Sequence, residues 1–148
     1  MPPIARFMSM LAAMLYFTQV ALAADIKVTN ATARASLLPT ASTGAIYFSI
    51  TNSGTSDDRL LSISTPAAIS AMIHETTIVD DVMKMRMVDD GLVIPAGTTV
   101  EMKTGATHVM LMGLKAPLKK GEQVAMELLS EKAGVVKVEV PVENVAAQ

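Results

Sequence analysis

VMKMRMVDDG, residues 82–91, is an alternating segment followed by a turn. Methionines stand at every second position with cations between them, which is the period of a β-strand whose two faces differ chemically. The triplet Asp89-Asp90-Gly91 that follows favours a tight turn. This unit of a short strand and a turn predicts the organisation of the rest of the chain.

Outward from this segment, short apolar or alternating runs are separated by turn residues, and no long run has a helical period. Turns spaced roughly eight to twelve residues apart are typical of a β-sandwich. We expect a single all-β domain with a short helical turn around Pro66. The predicted strands are 26–36, 44–52, 59–65, 71–77, 82–88, 98–102, 108–114, 123–129 and 135–142.

The amino terminus, residues 1–23, has the pattern of a secretory signal peptide. Arg6 precedes an apolar run over 7–20, and Ala21-Leu22-Ala23 is a small-x-small cleavage site. A retained transmembrane anchor is the alternative, because the apolar run approaches the lower limit for spanning a bilayer. We expect cleavage after Ala23, leaving a mature domain of residues 24–148 in the periplasm with no stable membrane insertion.

The composition excludes several classes of function. The chain contains no cysteine, so its core must stabilise it without disulfides. Its net charge is −2, and loss of Arg6 with the signal peptide makes it more negative, which disfavours nucleic acid as a partner. No Ser-His-Asp or Cys-His nucleophile pattern is present, so we expect no enzymatic activity.

The candidate ligands are two histidines and the methionines near them. In the segment 108–112, His108, Met110 and Met112 fall on one strand face, because side chains alternate with period two. Met83, Met85 and Met87 likewise share a face. Taken alone, the methionines at 83, 85 and 87 would indicate core packing, since methionine fills apolar gaps.

The joint occurrence of these groups changes that interpretation. Both histidines and the two densest methionine clusters lie between His74 and Met112. Thioethers prefer soft Cu(I), zinc favours thiolate or carboxylate with imidazole, and calcium and magnesium require oxygen. A blue-copper electron carrier is excluded, because it needs a cysteine thiolate. The residues therefore indicate a Cu(I) carrier.

At these positions the sequence resembles the periplasmic copper(I) chaperones of the PCuAC family. In that family a histidine is followed, after ten residues, by a methionine. About twenty-one further residues separate this methionine from a His-x-Met motif. Met85 follows His74 after ten residues, and His108-Val109-Met110 closes the pattern. The resemblance extends to 44–47 with Asn52, 57–60, 94–97 and 111–114.

The resemblance to this family implies a fold, a site and a role, which we take as expectations. The fold is a cupredoxin-like (Greek-key) β-sandwich, and one Cu(I) per chain is bound by His74, Met85, His108 and Met110. The role is delivery of Cu(I) towards the copper-site subunit of cytochrome c oxidase, with a Sco-type thiol protein as a possible second partner. The alternatives are a periplasmic copper buffering or resistance protein and a metal-free structural β-sandwich.

Two departures from the family pattern occur around the second histidine. Twenty-two residues, one more than usual, separate Met85 from His108, and we assign the extra residue to the turn at 89–91. The loop 103–107 lacks the usual proline, paired glycines and aromatic residue.

The remaining methionines and the acidic pairs are assigned secondary roles. We expect Met83, Met87 and Met112 to be apolar packing or a spare sulfur, with Met112 as the preferred substitute. Asp57-Asp58 and Asp80-Asp81 are interpreted as solvated turn acids and not as calcium ligands.

Overall fold

The structure is a computed structural model that describes residues 25–144. The signal peptide predicted over 1–23 lies outside these residues. All ten strands of the described part belong to one sheet, and none of the described residues forms a helix long and apolar enough to cross a membrane. The strands are β1 (Ile26–Arg34), β2 (Thr43–Asn52), β3 (Asp58–Ser64), β4 (Ala68–Val79), β5 (Val82–Met87), β6 (Leu92–Ile94), β7 (Thr98–Glu101), β8 (His108–Leu114), β9 (Gln123–Ser130) and β10 (Gly134–Glu143).

The all-β prediction is confirmed, and each of the nine predicted strands is present, eight with shifted ends and the strand 108–114 with the predicted bounds. The additional strand, β6, is only three residues long, too short for its alternation to stand out in the sequence. The helical turn predicted around Pro66 is wrong. Pro66 and Ala67 form a turn between β3 and β4, and β4 starts at Ala68, three residues earlier than expected.

The sheet curls round and closes on itself. The strand order is β5-β4-β8-β2-β1-β10-β9-β3-β6, and β3 also pairs with β4 through Ile63 and Ala71. The first and last strands, β1 and β10, pair in parallel, with Ala33 opposite Val142. This closure makes two facing layers, and it leaves β5 as a strand paired with β4 alone within the described residues.

The space between the layers is filled by alternate side chains of the strands. On β2, Ile46, Phe48 and Ile50 are buried, and on β8 Val109 and Leu111 are buried. Because strand side chains alternate, the residues between these positions point away from the core. The core of β8 therefore fixes the outward direction of His108, Met110 and Met112.

A two-residue turn, Asp80-Asp81, joins β4 to β5, with Val79 opposite Val82. Both aspartates have positive φ, 52° and 62°, which is the backbone of a type I′ hairpin turn. Both are exposed, in keeping with solvated turn acids.

Asp58 departs from the prediction of a solvated turn acid, because it is only 6% exposed. Its carboxylate accepts hydrogen bonds from the Ser130 hydroxyl at 2.5 Å and from the backbone N–H groups of Arg59, Lys132 and Ala133 at 2.7, 3.0 and 3.2 Å. Asp58 thus ties β3 to the turn between β9 and β10.

Candidate metal centre

The two histidines lie side by side on adjacent strands. β4 pairs with β8 in antiparallel register, and His74 is directly opposite His108. Their ring centroids are 5.8 Å apart with an interplanar angle of 75°. Both side chains are half-buried. The structure thus brings together two residues that are far apart in the sequence.

Both imidazoles point to the outer face of the sheet. The neighbouring residues Ile73 and Val109, which are opposite each other in the register, are buried in the core. Since successive side chains point to opposite faces, His74 and His108 share the face that is turned to solvent. This surface is formed by β5, β4, β8 and β2.

His108 is held in one orientation by the loop that precedes it. Its Nδ1 lies 2.9 Å from the carbonyl oxygen of Ala106. A carbonyl oxygen only accepts hydrogen bonds, so Nδ1 carries the proton in the neutral tautomer, which leaves the Nε2 lone pair for a metal. Such a bond on the far nitrogen is the usual support of a metal-binding imidazole.

The loop 103–107, which departs from the family pattern, is a compact turn. The Lys103 N–H donates to the Thr107 carbonyl at 3.0 Å, and the Ala106 N–H donates to the Lys103 carbonyl at 3.1 Å. Gly105 takes φ = +77°, a left-handed conformation that glycine adopts without steric cost. The turn directs the Ala106 carbonyl back towards His108.

Strand β8 also carries Met110, the next residue on this face. Met110 is opposite Met72 of β4, and both are half-buried. Sequence reasoning did not single out Met72. Its position two residues before His74 places it on the same face, and this parity was the only sequence feature that could have identified it.

Strand β5 places three methionines on the other side of His74. Met87 is directly opposite His74, Met85 is opposite Thr76, and Met83 is opposite Ile78. The exposed fractions are 47% for Met87, 61% for Met85 and 60% for Met83. The predicted ligand Met85 is therefore diagonal to His74, and Met87 is the β5 thioether in direct register with it.

The expected substitute ligand, Met112, is farther from the histidines. It lies opposite Ser70, four register pairs from the His74–His108 pair. Four residues of strand separate it from His108, a rise of roughly 13 Å. The register therefore favours Met87 over Met112 as a spare sulfur.

An open cleft of about 570 Å³ adjoins the site on the β2 side. His108 and Met110 line it, and Tyr47 of β2 lies beside His108 with ring centroids 6.4 Å apart. The loop after β1, with the exposed side chains of Leu37 and Leu38, also lines it. The β8 side of the candidate site therefore borders an open cleft.

The chemistry of the donor set is nitrogen and thioether sulfur. Within residues 25–144, no three side chains of histidine, cysteine or the acidic residues are grouped as a metal site. The histidine pair has sulfur neighbours on β5 and β8. Imidazole with thioether suits a soft ion, whereas hard ions prefer oxygen. All four residues predicted from the sequence lie on the three adjacent strands β5, β4 and β8.

Comparison with known proteins identifies relatives of the chain. Residues 26–142 match the LpqE-like family model, which carries a lipoprotein description. A Leifsonia xyli subsp. xyli protein, also named as a lipoprotein, is 33% identical over 100 residues, which is 68% of this chain and 60% of that protein. An uncharacterised Rickettsia prowazekii protein is 32% identical over 82 residues, 55% of this chain and 45% of that one. The chain thus spans less than two thirds of the length of either relative.

Solved structures with the same fold are PCuAC domains. The copper-bound PCuAC domain from PmoF2 has a TM-score of 0.69 and 26% identity, covering 82% of this chain and 94% of that domain. The Cu(I) form of a Deinococcus radiodurans protein, DR1885, has a TM-score of 0.64 and 34% identity, covering 86% of this chain and 85% of that one. These matches confirm the cupredoxin-like β-sandwich. The chain belongs to the LpqE-like family, and its fold is that of the PCuAC domains.

Proposed function

We propose that this protein is an exported Cu(I) carrier that binds one copper ion per chain and hands it to another protein. His74, Met85, His108 and Met110 are the proposed ligands. Its role is binding and transfer, without a catalysed reaction. The observation that carries the proposal is the pairing of His74 with His108 on a solvent-facing surface that also bears thioethers.

The donor set supports copper in its reduced state. Thioether sulfur is a soft ligand that stabilises Cu(I), and Cu(II) prefers nitrogen and oxygen in tetragonal geometry. Thioethers also remain usable in an oxidising compartment, where thiols would be converted to disulfides. A carrier must also release its cargo, and a site on one open face of a sheet leaves the ion accessible from solvent.

The relatives support the same assignment. The PmoF2 domain was solved with copper bound, and the Deinococcus protein was solved in its Cu(I) form. The second of these is 34% identical to this chain over most of its length. A shared fold together with a suitable donor set makes Cu(I) the proposed cargo here.

The direct test is an anaerobic Cu(I) titration of the mature domain, with X-ray absorption to count nitrogen and sulfur neighbours. We expect one Cu(I) per chain with mixed nitrogen and sulfur ligands, and much weaker binding of Cu(II). Tight Cu(II) binding with no sulfur around the metal would contradict the proposal.

Two matched substitutions on β8 test the assignment of residues. His108→Ala and Met110→Leu should each weaken Cu(I) binding, His108→Ala by at least about 100-fold because imidazole is lost from a pair. Met112→Leu is the control, since Met112 lies on the same face but opposite Ser70. Competition against a chromophoric Cu(I) chelator measures all three affinities. If Met110→Leu and Met112→Leu change the Cu(I) affinity equally, Met110 is not a ligand.

We further propose that the acceptor is the copper-site subunit of cytochrome c oxidase, with or without a Sco-type thiol protein, and that the protein acts in the periplasm. The lipoprotein description of the family supports export. A copper-buffering role would use the same ligands. A deletion strain separates the two roles: loss of a chaperone lowers oxidase activity at limiting copper, whereas loss of a buffer raises sensitivity to excess copper.

A further inference from the structure

We infer that Met87 is a second β5 thioether for the copper ion, one that exchanges with Met85 at the same coordination position. This inference rests on the proposed function, because it concerns the ligands of the same Cu(I). It adds a residue that the His-x10-Met spacing does not include. The evidence is the pairing of β4 with β5.

Met87 and His74 form the close type of antiparallel pair. The Val88 N–H donates to the Ile73 carbonyl at 2.9 Å, so the hydrogen bonds flank the His74–Met87 pair and do not join it. In such non-hydrogen-bonded pairs the Cα atoms are only about 4.5 Å apart, and the side chains are closest. Met85 is diagonal to His74, where separations are roughly 7–8 Å. Both thioethers can therefore reach an ion held by His74, and the backbone of Met87 is nearer to His74 than that of Met85.

The register that places Met87 there is fixed at several points. The type I′ turn at Asp80-Asp81 sets the pairing at one end, and the Val88–Ile73 hydrogen bond closes it at the other. Between them, the Arg86 side chain donates to the Glu75 carboxylate at 2.9 Å, on the face opposite the methionines. A slip by one residue would turn every β5 thioether away from His74.

Two sulfurs beside one imidazole allow copper to change ligands without leaving the protein. Met87 is the less exposed of the two, at 47% against 61% for Met85. Methionine has flexible torsions, so either sulfur can swing to the ion. An incoming ligand from an acceptor can then replace the more exposed Met85 while Met87 retains the copper.

The test uses four variants of the mature domain: Met85→Leu, Met87→Leu, the double Met85→Leu/Met87→Leu, and the control double Met83→Leu/Met85→Leu. Leucine keeps the volume of methionine, and all three positions are exposed, so the fold is preserved. Anaerobic competition gives the Cu(I) affinity, and X-ray absorption gives the number of sulfur neighbours.

We expect Met85→Leu to bind Cu(I) more weakly than the unmodified domain but still to hold one Cu(I) with the same number of sulfur neighbours, because Met87 then supplies the sulfur. The Met85/Met87 double variant should bind at least about tenfold more weakly than Met85→Leu, because the second sulfur is then also lost. The Met83/Met85 control should match Met85→Leu. A Met85/Met87 double variant no weaker than Met85→Leu, or a control double that is equally weakened, would overturn the inference. Failure of the proposed function would give a different result from these two outcomes, because the unmodified domain would then bind no Cu(I).

Discussion

At the scale of single residues, the backbone around His108 decides which nitrogen can bind metal. The Nδ1–H donates a hydrogen bond to the Ala106 carbonyl, so Nε2 is the ring nitrogen available to bind a metal. That hydrogen bond also fixes the ring orientation, which lowers the reorganisation needed when a metal arrives. On the proposed ligand assignment, the turn at 103–107 therefore orients a metal ligand, although its sequence is unlike that of the family pattern.

We predict that His108 binds Cu(I) through Nε2 while Nδ1 stays protonated. Long-range proton–nitrogen correlation spectra of the anaerobic Cu(I)-loaded domain distinguish the two ring nitrogens. His74 serves as an internal comparison in the same spectra. A metal shift on Nδ1 of His108 would mean that the bond to Ala106 breaks on loading.

Asp58 is the residue whose ionisation matters most for the fold. Burial opposes its charge, but the hydrogen bonds from the Ser130 hydroxyl and from three backbone N–H groups outweigh burial and lower the pKa of Asp58 below its usual value of 3.8. A carboxyl with a lowered folded-state pKa stabilises the protein above its unfolded-state value. That contribution is lost as the pH falls below 3.8 through the folded-state pKa.

We predict that Asp58→Asn lowers the free energy of unfolding at neutral pH by about 1–3 kcal/mol, because buried N–H donors lose a charged acceptor. The difference from the unmodified protein should shrink as the pH drops below 3.8, because Asp58 is protonated first in the unfolded chain and only at lower pH, at its lowered folded-state pKa, in the native protein. Urea unfolding at pH 7 and pH 3 measures both values. Asp89→Asn, an exposed turn acid, is the control. If the difference in unfolding free energy between the two proteins does not depend on pH, the effect of Asp58→Asn comes from the altered hydrogen-bonding geometry of the side chain and not from the loss of its charge.

At the scale of elements, the β4–β5 hairpin determines which thioethers reach the histidines. Alternation alone predicts that Met83, Met85 and Met87 share a face, and the register confirms it. Alternation does not say which methionine is opposite His74. We predicted strands ending at 77 and starting at 82, whereas Val79 pairs with Val82 across a two-residue turn. Asp-Asp lacks the glycine that usually marks such a turn, so the register could not be read from the sequence.

The turn itself can be tested by replacing Asp80-Asp81 with Asn-Gly. Both positions have positive φ, which asparagine and glycine tolerate better than aspartate. We predict a gain of about 0.5–1 kcal/mol in the free energy of unfolding, with the Cu(I) affinity unchanged. Thermal unfolding and chelator competition provide the two measurements. A change in copper affinity would show that the charges of the turn act on the site.

At the scale of the whole molecule, the candidate site joins segments that the pairing of β4 with β8 brings together. The sequence pattern predicted the strand class, the outward face of β8 and the candidate ligands. It could not predict that β4 lies between β5 and β8, because neighbours in a sandwich are set by non-local pairing. The proximity of Met72 to Met110, and of Tyr47 to His108, could not be predicted for the same reason, since both follow from strand order.

We predict that Cu(I) stabilises the whole domain, because a ligand that binds only the folded state shifts the unfolding equilibrium. At a free concentration 100-fold above the dissociation constant, the gain is about 2.7 kcal/mol, or roughly 10 °C in Tm for a domain of this size. Anaerobic calorimetry with and without a Cu(I) chelator measures the shift. The double variant His74→Ala/His108→Ala should show none, and an equal shift in that variant would place the copper elsewhere.

The exposure of the β5 sulfurs also determines how the protein would fail under oxidative stress. Peroxide converts an accessible thioether to a sulfoxide, which is polar and no longer a soft ligand. Met85 is 61% exposed, whereas Met126 in the core is 1% exposed, so the surface sulfurs react first. On the proposed ligand assignment, the domain would then stay folded but lose its Cu(I). Methionine sulfoxide reductases would restore the function without new protein synthesis.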